Sequence, residues 1–253
     1  MGKVRVLILR APGTNCDEEA AFAFAEAGAE ASLVEVGELI RREKRLPDYG
    51  ILVIPGGFTY GDDISAGKVL ANELRLKLGA ELPGFLEGGR LILGICNGFQ
   101  ILAKAGVLPG TRETPLTLTN NDSGRFECRW VYLKVNQSSP CVFTKDIERM
   151  SLPVAHGEGK VIALGALPST QTVLFYTDEK GNVTESYPEN PGGSAGGIAG
   201  ICDPTGRVFA LMPHPERHIR ATQHPHWTRG GESSSEGDGF RVFRNAVRWA
   251  SKL

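Results

Sequence analysis

Short, uninterrupted apolar runs alternate with helical patterns through the first 105 residues, and this alternation is the strongest constraint on the fold. The strand-like runs are Val4–Leu9, Ser32–Val36, Ile51–Ile54 and Leu91–Ile95, and the helical patterns are Asp17–Glu30, 66–86 and Asn97–Ala105. Apolar strands buried on both faces and joined by helices are typical of βαβ units. The pattern predicts a three-layer α/β/α domain with a mainly parallel central sheet.

After residue 110 the pattern changes to strands separated by turn signals. The predicted strands are Glu127–Val135, Thr172–Tyr176 and Arg207–Met212. The stretch 228–239, rich in Gly, Ser and acidic residues, predicts a flexible loop. Apolar residues at helical spacing beyond it predict a C-terminal helix. We expect one domain over 1–253, elaborated in its second half.

Charge and composition exclude several classes of protein. The 253 residues carry 28 Lys+Arg and 29 Asp+Glu, and a general binder of nucleic acid or membrane surfaces needs a basic excess. No apolar run reaches the roughly 18 residues of a spanning helix, and the N-terminus lacks a signal-peptide pattern. Five scattered cysteines without a C-x-x-C pair argue against a disulfide framework and against a metal site. We expect a cytoplasmic protein without a bound metal.

The most specific local signal is the stretch LILGICNGFQ at 91–100. A buried strand there runs through Gly94, Cys96 and Gly98 into a helix, which is the nucleophile-elbow pattern with Cys in place of Ser. The helix N-terminus favours a thiolate, and the N–H of Asn97 can bind an oxyanion. A buried structural cysteine is the alternative interpretation, but the two glycines in register favour a nucleophile.

A cysteine nucleophile needs a base, and two histidines are candidates. His214 follows an apolar run in the string MPHPER, where two prolines stiffen the backbone and Glu216 lies two residues on. Such spacing can hold a carboxylate against the imidazole. His156 in AHGEGK is the rival base, with Glu158 beside it. The other histidines lie on a polar stretch and are expected to be solvated: His218, His224 and His226.

Taken together, Cys96, His214 and Glu216 make the sequence resemble the triad (class I) glutamine amidotransferases. Within them it is most similar to the glutaminase subunits of phosphoribosylformylglycinamidine synthases. The strings that carry the resemblance are RAPGTNCD (10–17), PGGFTYGDDISAG (55–67), GICNGFQ (94–100), VAHGEG (154–159), NPGGS (190–194) and MPHPER (212–217). The resemblance implies a flavodoxin-like fold with antiparallel strands added to the parallel sheet.

The resemblance also implies the chemistry and the roles of individual residues. Cys96 attacks the side-chain amide of L-glutamine, His214 acts as base and then as acid, and Glu216 orients the imidazole. Gln100 helps to hold the substrate. The backbone N–H of Gly57 joins that of the residue after the nucleophile in binding the oxyanion.

The implied partners are a synthetase subunit and a small accessory subunit. Ammonia passes to the synthetase, which binds ATP and magnesium, whereas this chain needs no cofactor of its own. The chain has no P-loop or other Gly-Lys phosphate signature, which agrees with this division. The stretch 218–239 is longer than the family pattern, so the family's partner interface is not carried over to it.

Three other functions stay open at this point. Another amidotransferase would feed ammonia to a different acceptor. A Cys-dependent hydrolase or chaperone-like protein on the same scaffold would carry its His directly after the elbow or elsewhere, whereas position 97 is Asn. A non-catalytic binding module would lack one member of the triad, and all three are present.

Overall fold

Eleven strands and six α-helices are formed in a computed structural model that describes residues 2–110, 114–229 and 235–253. The strands are β1 (Arg5–Arg10), β2 (Glu30–Glu35), β3 (Ile51–Ile54), β4 (Leu91–Ile95), β5 (Leu116–Thr119), β6 (Glu127–Val135), β7 (Arg149–His156), β8 (Lys160–Ala163), β9 (Thr172–Thr177), β10 (Ile198–Cys202) and β11 (Val208–Leu211). The helices are α1 (Asp17–Glu26), α2 (Val36–Ile40), α3 (Lys68–Glu73), α4 (Glu81–Glu87), α5 (Asn97–Lys104) and α6 (Phe240–Ala250). None of the helices in these ranges combines the length and the apolar character needed to cross a membrane.

The central sheet has nine strands in the order β2-β1-β3-β4-β11-β10-β9-β6-β7. The first five are parallel, in the order found in flavodoxin-like folds, and the last four extend the sheet in antiparallel fashion. Strands β5 and β8 form a separate antiparallel pair. The predicted fold class, a parallel α/β sheet with antiparallel strands added, is confirmed.

The helices cover both faces of the sheet because β2 is added on one side of β1, whereas β3 and the later parallel strands are added on the other side. Right-handed crossovers put α1 on one face, and α3 and α5 on the other. Consistent with this, α6 packs against α1, whereas α3 packs against α5. Every residue of β3, β4 and β11 is buried, as their continuous apolar runs require.

The loops that follow β1, β3, β4 and β11 meet at one edge of the sheet, because the carboxyl ends of parallel strands point the same way. The strand order reverses between β1 and β3, which is where ligands bind in open α/β sheets. Gly57 follows β3, Cys96 and Asn97 follow β4, and His214 and Glu216 follow β11. The candidate site is therefore at this edge.

Some element predictions need correction. The predicted helix 66–86 is broken into α3, a π-helical turn at Leu74–Leu78, and α4. An added Cβ on Gly79 would collide with the carbonyl oxygen of Arg75, so close packing of the chain at this break requires glycine. Strands β5, β7, β8 and β10 were not predicted. Residues 230–234 of the predicted flexible loop 228–239 lie outside the described residues.

Candidate active site

Cys96 lies at the sharp junction between β4 and α5. Its backbone has φ 51° and ψ −103°, a conformation that costs a non-glycine residue about 1–3 kcal/mol and that the surrounding structure must hold in place. The Cys96 N–H donates to Leu211 O at 2.8 Å. An added Cβ on Gly98 would collide with Ile54 O, so α5 can approach β3 this closely only with glycine there. The sequence pattern G-x-C-x-G thus corresponds to a strained elbow at a strand end.

His214 and Glu216 form a buried pair directly after β11. A hydrogen bond of 2.5 Å joins His214 Nδ1 and Glu216 Oε1, and the two side chains are 2% and 0% exposed. Burial alone would lower the pKa of His214, but the Glu216 carboxylate and the Cys96 and Cys16 sulfurs outweigh it, so this pKa lies well above its usual value. His214 Nε2 is buried and finds no hydrogen-bond partner among the described residues.

The side chains of His214, Cys16 and Cys96 come together beside Gly56, in the loop after β3. A Cβ built on Gly56 would lie 2.8 Å from His214 Cε1, 3.1 Å from Cys16 Sγ and 3.5 Å from Cys96 Cβ. The imidazole of His214 and the side chain of Cys96 therefore line one small space. A thiol and an imidazole that border the same space are the components of a nucleophile–base pair.

Cys16 was not singled out by the sequence as part of this site. Its thiol is buried, 3.9 Å from His214 Nδ1, and it accepts a hydrogen bond from Arg217 Nη2 at 3.0 Å. Burial raises the pKa of Cys16, which favours the neutral thiol. Cys16 also lies at a helix N-terminus, that of α1, but unlike Cys96 it has no flanking glycines that would form an elbow. The one signal in the sequence was its place in the string RAPGTNCD.

Cys16, His214 and Glu216 also form the one group of three or more potential metal ligands in the described ranges, with ligand atoms within 4.8 Å of one another. The imidazole Nδ1 and the carboxylate already bond to each other at 2.5 Å. A metal ion would have to displace that hydrogen bond. The geometry therefore fits a His–carboxylate pair better than a metal centre.

His156, the rival base, is the last residue of β7 and is equally buried. Its Nδ1 lies 2.9 Å from Asn121 Oδ1, and burial lowers its pKa to about 4. Glu158 does not pair with it: that carboxylate accepts from the Ala66 N–H at 3.2 Å and lies 3.4 Å from Lys104 Nζ. An imidazole with so low a pKa is a weak base, so His214 is the stronger candidate.

Two backbone N–H groups, in the loop after β3 and at the start of α5, make no backbone hydrogen bond among the described residues. Asn97 is the first residue of α5, where helix geometry leaves the N–H without an intrahelical acceptor. Gly57 lies opposite Thr14 in a short antiparallel bridge. The backbone hydrogen bonds of this bridge are donated by the residues that follow them, from Phe58 N to Gly13 O and from Asn15 N to Gly56 O. The Gly57 N–H therefore donates no hydrogen bond in this bridge. Position 57 requires glycine, because its backbone has a φ of 153° and a Cβ added there would lie 2.7 Å from Gly13 O.

Gln100, the predicted substrate-binding residue, is buried on α5, one helical turn after the elbow. Its Nε2 donates to Glu158 O at 2.6 Å, and its Oε1 accepts from Asn97 Nδ2 at 2.9 Å. Each of these side-chain atoms retains capacity for one further hydrogen bond. Gln100 could therefore still contact a ligand.

Comparison with known proteins assigns this site to a family. Residues 3–250 match the profile of the CobB/CobQ-like glutamine amidotransferase domain. The chain belongs to this family. A relative from Dehalococcoides mccartyi, named phosphoribosylformylglycinamidine synthase subunit PurQ, is 54% identical over all of both chains. One of the same name from Methanococcus maripaludis is 41% identical over 98% of each chain.

A solved structure, that of PurLQS from Thermotoga maritima, contains a similar chain. It has a TM-score of 0.74 and 34% identity, and the match covers 98% of this chain and 99% of that one. The agreement extends to the antiparallel half of the sheet, since nearly the whole chain is covered.

Two of the three histidines after the triad in this amidotransferase, His218 and His224, are less solvated than the sequence suggested, whereas His226 is exposed as expected. His218 is 5% exposed, its Nδ1 lies 2.7 Å from Ser151 O, and its ring packs edge-on against Trp130 at 5.0 Å. His224 contacts the same Trp130 ring at 4.4 Å. The expectation of solvation is wrong for His218, because the segment after the triad folds back onto β6 and β7.

Proposed function

We propose that this amidotransferase is the glutaminase subunit of phosphoribosylformylglycinamidine synthase. It hydrolyses L-glutamine to glutamate and ammonia, and the ammonia serves an ATP-dependent synthetase subunit that converts formylglycinamide ribonucleotide to its amidine in de novo purine biosynthesis. The observation that carries the chemistry is the convergence of Cys96 and the His214–Glu216 pair around Gly56. The full-length similarity to chains named PurQ supports the choice of acceptor.

The reaction proceeds through a thioester. His214 Nε2 takes the proton of the Cys96 thiol as the sulfur attacks the amide carbon of glutamine, and the same proton is given to the departing ammonia. Water then attacks the glutamyl thioester while His214 again accepts a proton. The proton returns to the Cys96 sulfur as glutamate leaves, so the net change is glutamine plus water to glutamate plus ammonia.

The other site residues support these two steps. Glu216 fixes the orientation of the His214 ring and stabilises the imidazolium that forms twice in each cycle. The N–H groups of Gly57 and Asn97 stabilise the oxyanion of each tetrahedral intermediate. Gln100 contributes a polar contact to the substrate.

The proposed partners are the synthetase subunit, which would hold ATP and magnesium, and a small accessory subunit. The PurLQS assembly of the T. maritima relative supports this grouping. We place the activity in the cytoplasm, together with the nucleotide substrate of the synthetase subunit.

A Cys96→Ala variant in the reconstituted complex tests the proposal. We expect glutamine-dependent synthesis to fall at least about 10³-fold, because the covalent route is lost, while synthesis from ammonium salt is unchanged. Cys128→Ala is the matched control, since that cysteine is exposed on β6. Retained glutamine-dependent activity would disprove the mechanism. Glutamate release that supports a different acceptor would indicate another amidotransferase.

A further inference from the structure

The side chain of Asn97 connects the nucleophile elbow to the loop that follows β3. Its Oδ1 accepts hydrogen bonds from Thr59 Oγ1 at 2.7 Å and from Thr59 N at 3.3 Å. Its Nδ2 donates to Gln100 Oε1 at 2.9 Å and to Asp62 Oδ1 at 3.3 Å. Gln100 is three positions from Asn97, whereas the contacts with Thr59 and Asp62 join residues 38 and 35 positions apart in the sequence.

All the hydrogen-bonding capacity of this amide is used. A carboxamide has two N–H donors and two acceptor lone pairs, and Asn97 makes four hydrogen bonds. Asn97 is 0% exposed, and Thr59 is 2% exposed. A buried polar network in which each bond is made holds its members in one arrangement, because any displacement leaves a buried group unpaired.

The loop held in this way has a backbone that needs external support. Tyr60 and Asp62 have φ values of 55° and 53°, in the left-handed region that non-glycine residues seldom adopt. Asp62 Oδ1 also accepts from the Gly67 N–H at 2.9 Å, which closes the loop on itself. Thr59 lies two residues after Gly57, so the Asn97 amide is bonded close to the proposed oxyanion donor.

We propose that the Asn97 side chain and the Thr59 hydroxyl are a positioning pair for the oxyanion site. The two proposed donors lie on different segments, Gly57 in the loop after β3 and Asn97 at the start of α5, and this hydrogen bond fixes the loop relative to the helix. Oxyanion stabilisation depends on donors 2.7–3.1 Å from the developing charge, so loosening the contact slows acyl transfer. The inference rests on the proposed function, because it concerns the same thioester chemistry.

Two reactions of Cys96 separate positioning of the oxyanion donors from general damage. Acylation by glutamine passes through an oxyanion. Alkylation by iodoacetamide displaces iodide from a saturated carbon, so it forms no oxyanion and depends only on the thiol and its base. A defect confined to the oxyanion site therefore lowers the first rate and not the second.

The experiment compares Thr59→Val and Thr59→Ser in the reconstituted complex. Valine keeps the size and the backbone N–H but removes the hydroxyl, whereas serine retains it. For Thr59→Val we expect kcat for glutamate release to fall roughly 10- to 100-fold, with KM within about threefold. The alkylation rate of the peptide containing Cys96, measured by mass spectrometry, is expected within about twofold of wild type. Thr59→Ser is expected to restore most of kcat.

Two results would overturn the inference: a wild-type kcat in Thr59→Val, or equal losses of kcat and alkylation rate, which would indicate a structural role only. If Thr59→Val fails to fold, Thr59→Ala removes the same hydroxyl without crowding the site, and the same criteria apply. A wild-type complex that releases no glutamate would instead disprove the proposed function, so the two failures are distinguishable.

Discussion

Replacing Gly56 with alanine places a methyl group at the point where the candidate site converges. The new Cβ would lie 2.8 Å from His214 Cε1 and 3.1 Å from Cys16 Sγ. Carbon atoms in favourable contact are about 3.5 Å apart, so the imidazole or the loop must move by about 0.7 Å. Gly56 does not have a left-handed φ, so alanine can adopt its backbone and the effect is steric.

A displacement of this size has a large effect on rate and a smaller one on stability. A misplacement of about 1 Å at reacting groups can cost 10²-fold, so we expect kcat for glutamate release to fall roughly 30- to 100-fold. Crowding a packed site lowers the free energy of unfolding by about 1–3 kcal/mol. The assays are steady-state glutamate release in the reconstituted complex and urea unfolding of the chain.

Gly84→Ala is the matched control for Gly56→Ala. Gly84 is exposed within α4, and a Cβ added there meets no atom within 4 Å. We expect unchanged kcat and a gain of about 0.5–1 kcal/mol in the free energy of unfolding, from the higher helix propensity of alanine. If Gly56→Ala kept kcat within twofold of the wild-type value, the convergence of the site around this glycine would be refuted.

Two further predictions concern the titratable groups. Glu216→Gln is expected to lower kcat about 10²- to 10⁴-fold. It is also expected to lower the pKa of His214, because the Glu216 carboxylate raises that pKa. A pH–rate profile measures both effects, and a loss of kcat below tenfold would contradict the role of Glu216. His156→Gln is expected to remove part of the acid sensitivity of folding. The pKa of His156 is about 4 in the native state and 6.5 when unfolded, so the unfolded state binds more protons between these values and the wild type loses stability as pH falls through this range. Between pH 7.5 and 5 the wild type is expected to lose about 2 kcal/mol more unfolding free energy than the variant. Urea unfolding with the same pH dependence for both proteins would contradict this prediction.

The parts of the site that the sequence predicted are those with local causes. The elbow at Cys96 needs a buried strand, two flanking glycines and a helix, and all of these lie within ten residues. The His214–Glu216 pair is also local, because the prolines on either side of His214 fix the short turn that brings the carboxylate to the ring. Continuous apolar runs likewise predicted β3, β4 and β11, which are buried on both faces.

The parts that the sequence did not predict depend on distant contacts. Cys16 reaches His214 across 198 positions of the sequence, and its surrounding residues give no sign of that neighbour. Strand β7 contains Pro153, which interrupts a strand pattern, but β7 is an edge strand of the sheet and proline is tolerated there. The break between α3 and α4 depends on packing around Gly79, which helix periodicity does not report.

The bridging role of Asn97 follows from the same distinction between local and distant contacts. The sequence could assign its backbone N–H, because any residue after an elbow nucleophile supplies one. Its side chain has a function only once the loop with Thr59 and Asp62 lies beside α5, and this requires the parallel pairing of β3 with β4. Backbone donors from two loops can act on one oxyanion only if the loops keep a fixed separation. The sheet sets that separation at the strand ends, and beyond them the buried amide of Asn97 maintains it through its hydrogen bonds to Thr59 and Asp62.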